Sequence, residues 1–229
     1  RAADDAGLEG VTGTGLVRLD LEDDAIIEIG AVLCEALPAS LDTGDRFPGR
    51  MKEIDRFHII VPPARHWTPV RWNKVVVKMH TESGLLAEVE EARAFFNSAD
   101  PPAQLTRSDG SQWCRAIAEA DASLSHWLGA HIGTKWLHEV RMAGSGVSHF
   151  DLERVRKWMP QTMTWFSWRP FDVGQIEEFF HLFELPTFGE IHPEAREQLK
   201  THRALSDLEY HLAEYEWIRA FFEGAVLDS

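Results

Sequence analysis

The chain has 229 residues, 44% of them hydrophobic, and 23 Lys and Arg stand against 37 Asp and Glu for a formal net charge of -14. That length supports one substantial core, and the acidic balance excludes a broad basic surface of the kind that holds long duplex DNA non-specifically. Cys34 and Cys114 form neither a disulfide framework nor a Cys-x-x-Cys site, no apolar run reaches membrane-spanning length, and the first residues lack the apolar core of a signal peptide, so a cytoplasmic protein with no membrane partner is expected.

Residues 1–15, rich in Gly, Ala, Asp and Thr without a sustained apolar period, read as a flexible leader. A single domain is expected over 16–223 and a short tail over 224–229. Strand one is expected over 16–22 and strand two over 25–35, joined by the tight Glu22-Asp23-Asp24-Ala25 connection. A third strand, 57–61, is stopped by Pro62-Pro63, which makes the opening an antiparallel meander.

The middle of the chain turns helical. Leu85, Leu86, Val89, Ala92 and Phe96 fall near helical spacing, and a second helix over 112–128 carries Trp113, Ile117, Ala120, Leu124 and Trp127. A strand is expected over 134–142, ended by the permissive backbone of Ala143-Gly144-Ser145-Gly146. Helices then follow over 150–158 and 173–183 around an extended piece at 168–171. The last long helix begins near residue 203, where Leu205, Leu208, Leu212, Tyr215, Ile218 and Phe222 form an apolar stripe. Strands first and strand-helix units later predict an α/β fold with a mixed sheet flanked by helices.

Several acids draw attention within this frame. On an extended strand Asp20 and Glu22 share one face, where two carboxylates side by side call for a cation or an open, solvated edge. Asp151 opens a helix after a strand-to-helix turn, a place where an acid also serves the helix N-terminus. His202 precedes the last helix and Asp207 lies off its apolar stripe.

Taken in order, Leu19-Asp20-Leu21-Glu22, His149-Phe150-Asp151 and His202-x-x-x-x-Asp207 resemble the three motifs of the DEDDh 3′-5′ exonucleases, which have the ribonuclease H-like fold. Within that superfamily the chain is most similar to oligoribonuclease, through His80-Thr81-Glu82-Ser83-Gly84-Leu85, Trp158-Met159-Pro160, Trp168-Arg169-Pro170-Phe171-Asp172-Val173 and His202-Arg203-Ala204-Leu205-Ser206-Asp207. The resemblance implies two Mg²⁺ or Mn²⁺ ions held by Asp20, Glu22, Asp151 and Asp207, with His202 as general base for the attacking water. The implied substrate is short single-stranded RNA with a free 3′ end, cut to nucleoside 5′-monophosphates. Single-stranded DNA is the alternative, since sugar choice rests on contacts to the 2′-hydroxyl. A catalytically silent nucleotide-binding module is a third reading, and the resemblance also implies a homodimer.

Three further residues fall in family-like stretches as substrate-binding candidates. Arg169 is placed to hold a phosphate, although a surface ion pair would account for it equally. Ser83 and Trp72 are explained as well by a helix cap and a packed aromatic. The sequence departs from the family beside its first motif: Glu22 is followed only by Asp23-Asp24-Ala25, where relatives carry a longer Thr-Gly-Leu-like loop. Arg18 stands where an apolar residue is expected, Ser145-Gly146-Val147-Ser148 lacks an Asn before Asp151, and Trp168 replaces a Tyr.

Overall fold

The computed structural model describes residues 10–16, 26–38, 49–63, 74–108 and 110–227. Its centre is a meander of β1 (Gly10–Leu16), β2 (Glu28–Leu37) and β3 (Arg50–Ile60), each antiparallel to the next. β6 (Arg141–Gly144) adds parallel to β1, and β7 (Phe171–Asp172) adds parallel to β6. On the other flank β5 (Gln112–Cys114) joins β3 in parallel and pairs antiparallel with β4 (Gln104–Thr106). The order β4-β5-β3-β2-β1-β6-β7 is the mixed α/β sheet expected from the sequence.

Around the sheet lie α1 (Lys74–Glu82), α2 (Leu85–Phe96), α3 (Ile117–Ile132), α4 (Asp151–Trp158), α5 (Pro160–Met163), α6 (Val173–Leu182), α7 (Phe188–Ile191), α8 (Pro193–Leu199) and α9 (Ala204–Leu227). β2 is buried along most of its length because both of its faces are covered. Ile29, Ala31 and Leu33 pack into the main core with Leu124 and Leu128 of α3 and Leu152 and Val155 of α4. The alternate residues Val32 and Cys34 meet Leu208, with Leu205 and Leu212 of α9 against them. A smaller cluster joins Ile27 and Ile60 to Leu85, Val89 and Ala92 of α2.

The first strand differs from its expected position. Residues 10–15, expected in the leader, belong to β1, which pairs with β2 from Gly10 opposite Glu35 to Leu16 opposite Ile29. Three of its seven residues are glycine and two are threonine. Glycine weakens a strand taken alone, so the stretch carries no strand signal of its own, and ladders on both sides supply what its composition lacks. Asp20 and Glu22 therefore follow β1 instead of lying on it, and they are outside the described residues. The helix expected over 112–128 also divides, its start forming β5 and its remainder α3. Of the strand expected over 134–142, residues Thr134–Trp136 form a short 3-10 turn and only the end is β6.

Candidate active site

Topology brings two described chemistry-bearing segments, the turn into α4 and the first turn of α9, toward the end of the sheet where β1 stops. β1 and β6 run in parallel, so Leu16 and Gly144 end at the same edge. Leu16 pairs with Ile29, which sets the start of β2 at that edge too. Leu16 and Ile26, the described residues on either side of Asp20 and Glu22 in sequence, are both at this end, and Asp20 and Glu22 themselves are outside the described residues. From β6 the chain turns through Gly146, at φ 73, into α4, whose first residue is Asp151. The first turn of α9 lies against Gly30, the residue opposite Gly15.

Asp172 shapes the turn that delivers Asp151. Its Oδ1 accepts from the Gly146 N–H at 2.8 Å and its Oδ2 accepts from the Ser148 N–H at 3.1 Å, while the Ser148 hydroxyl donates to Oδ2 as well. One buried carboxylate on β7 therefore satisfies two main-chain donors of a loop 24 to 26 residues upstream. Asp151 is itself buried.

His202 and Asp207 are joined directly. The His202 N–H donates to Asp207 Oδ1 at 3.1 Å, and His202 holds a left-handed backbone with φ 61 and an exposed side chain. Burial raises the Asp207 pKa, opposed by the His202 N–H bond and by the charges of His202, His211 and Lys200. A half-buried carboxylate penalised for its charge is one that a bound cation would relieve. Asp151 and Asp207 thus offer the hard oxygen donors that Mg²⁺ and Mn²⁺ prefer. Among the described residues no three His, Cys, Asp or Glu side chains gather as a metal cage, so further ligands would have to come from outside the described residues, where Asp20 and Glu22 lie.

The remaining substrate-binding candidates are dispersed. Arg169 is exposed, with its guanidinium 4.4 Å from the centre of the Trp168 ring, and Trp168 is itself 73% exposed. The Ser83 hydroxyl donates to the His80 carbonyl at 3.2 Å, at the end of α1, and makes no cap on α2, whose N-cap is Gly84. Trp72 lies outside the described residues.

The residue that sequence reasoning missed is Glu28. It is almost wholly enclosed, yet Oε1 accepts from Arg203 Nε at 2.8 Å and shares a hydrogen bond with His58 Nε2 at 2.8 Å, while Oε2 accepts from the Ala204 N–H at 3.0 Å. Burial works to raise its pKa, but the bonds and charges of His58 and Arg203 outweigh it and hold the carboxyl below its usual 4.5. Arg203 continues the bridge to Glu88 Oε2 at 2.6 Å. The signal was available as a lone acid inside the apolar run Ile26-Ile27-Glu28-Ile29.

Comparison with known proteins agrees with the motifs. An oligoribonuclease from Cutibacterium acnes is 25% identical over 201 residues, which span 88% of this chain and 79% of that protein. The likeness to oligoribonuclease read from the motifs thus extends over most of the chain. The nuclease domain of 3'hExo, a DEDDh family member whose structure was determined bound to rAMP, superimposes with a TM-score of 0.46 at 12% identity over 96% of each chain. No family model matches the chain.

Proposed function

We propose that the chain is a metal-dependent 3′-5′ exonuclease that degrades short single-stranded RNA to nucleoside 5′-monophosphates. The observation that carries this reading is the His202–Asp207 bond at the start of α9, with Asp151 opening α4 beyond the parallel strands β1 and β6. The relationship to an oligoribonuclease supports the same class of reaction. Asp20, Glu22, Asp151 and Asp207 would hold Mg²⁺ or Mn²⁺, two ions by the resemblance. Such an ion, when bound, makes water a better nucleophile and shields the charge of the phosphodiester.

The other roles belong to side chains. With one Asp207 oxygen tied to the His202 N–H, the second is the one available for a cation. The exposed His202 imidazole accepts the proton of the attacking water on a ring nitrogen. Arg169, stiffened against Trp168, grips a phosphate of the incoming strand. A net charge of -14 provides little long-range attraction for polyanions, which favours short substrates.

The test is an assay with Mn²⁺ on a short 5′-labelled RNA, a short DNA of the same sequence and a long oligonucleotide. The expected result is stepwise loss of 3′ nucleotides from the short RNA, abolished in Asp207→Ala. No cleavage of RNA or DNA by the unmodified protein, or full turnover by Asp207→Ala, would overturn the reading; preference for DNA would keep the exonuclease and replace the substrate.

A further inference from the structure

We infer that Glu28 is a positioning residue for His202, acting through the first turn of α9. The inference rests on the function proposed above, because it gives His202 work to do. Three bonds meet at the Glu28 carboxylate, and two come from the residues that follow His202, namely the Arg203 guanidinium and the Ala204 N–H. His58 on β3 supplies the third. His202 is therefore bracketed. Its own N–H is tied to Asp207, and the next two residues are tied to the sheet.

The docking is close as well as polar. A Cβ on Gly30 would stand 2.9 Å from the Ala204 Cβ and 3.1 Å from the Leu205 nitrogen, so helix and strand touch backbone to backbone two residues beyond Glu28. Arg203 is held at its far end by Glu88, which also receives Arg107 Nη1 at 3.1 Å. The bridge thus runs from β2 through Arg203 to α2, and leaves the peptide before it little freedom to rotate.

A left-handed backbone at a non-glycine residue persists only where its surroundings impose it. His202 has that backbone, and its N–H bond to Asp207 together with the Arg203 and Ala204 bonds to Glu28 hold it. Neutralising Glu28 as glutamine keeps its volume but turns one acceptor into an amide donor facing donors. The first turn of α9 would then settle in more than one arrangement, and the imidazole with it.

The experiment combines kinetics of Glu28→Gln on short RNA with Mn²⁺ and a two-dimensional ¹H–¹³C spectrum of the histidine rings, with His202 assigned through His202→Gln. The expected result is kcat per folded molecule lower by about tenfold, KM within about twofold, and a shifted or split His202 resonance. A role confined to stability would lower the melting temperature and leave both kcat per folded molecule and the resonance unchanged, which would overturn the inference. Should Glu28→Gln fail to fold, Glu88→Gln severs the outer end of the bridge and is expected to move the same two readouts to a smaller extent; no change in either would again overturn it. An unmodified protein without activity refutes the proposed function, whereas the His202 resonance still tests the positioning.

Discussion

Gly30 of β2 and Ala204 of α9 approach so closely that a single methyl group on the glycine would lie 2.9 Å from the alanine Cβ. No flexible side chain stands in the gap to give way, because the other nearest atoms are main-chain atoms of Ala204 and Leu205. Gly30→Ala must push the helix off the sheet, and a loss of about 1 to 3 kcal/mol is expected from such overpacking. Urea unfolding monitored by tryptophan fluorescence measures it.

Asp172 offers a second test, centred on the turn before Asp151. Asp172→Ala leaves the Gly146 and Ser148 main-chain donors without their acceptor, and an unsatisfied buried donor costs about 1 to 3 kcal/mol. The variant should unfold at lower urea, and amide hydrogen exchange at Gly146 and Ser148 should rise by more than at β2.

Much of this framework was legible in the sequence. The apolar stripes of α2, α3 and α9 follow helical periodicity, and the buried run of β2 announces itself through Ile26, Ile27 and Ile29. β1 was not legible, since Gly10, Gly13 and Gly15 express no strand preference and the pairing partners in β6 lie far along the chain. Only some residues of the candidate site were visible in the sequence. His202 and Asp207 stand out by spacing, whereas Glu28 and Asp172 act through main-chain donors that no short motif encodes.

Glu177 of α6 gives a pH-dependent expectation. Burial, together with the charge of Glu214 and a hydrogen bond to it, raises the Glu177 pKa above its usual 4.5. The folded state thus favours protonated Glu177. That contribution is complete below pH 4.5 and is lost as pH rises through the elevated folded value. Glu177→Gln mimics the protonated form, so it should melt like the unmodified protein near pH 4. At pH 8 it should melt higher by about 3 °C, the shift that about 1 kcal/mol produces in a chain of this length, with partial exposure of Glu177 limiting the gain.

Both cysteines should be inert while the protein is folded. Burial pushes the Cys34 thiol up to about 11 and the Cys114 thiol up to about 12, so almost no thiolate exists at neutral pH. An aromatic disulfide reagent at pH 8 should titrate neither in native protein and both in denaturant. Rapid reaction of one thiol in the native state would show that its strand opens.

The ladder between Val11 of β1 and Arg141 of β6 has a consequence for assembly order. β2 and β3 pair through a short-range connection, so both strands of that ladder are available before most of the chain exists on a ribosome. β1 can lean on β2 at that stage, but its other side stays open until the segment around Arg141 has been synthesised. Until then the glycine-rich strand is an exposed edge, the condition in which β structure recruits foreign strands. Truncation before residue 141 should therefore yield an aggregating fragment instead of a smaller folded unit, because β1, an interior strand of the finished sheet, lacks one of its two neighbours until β6 is made.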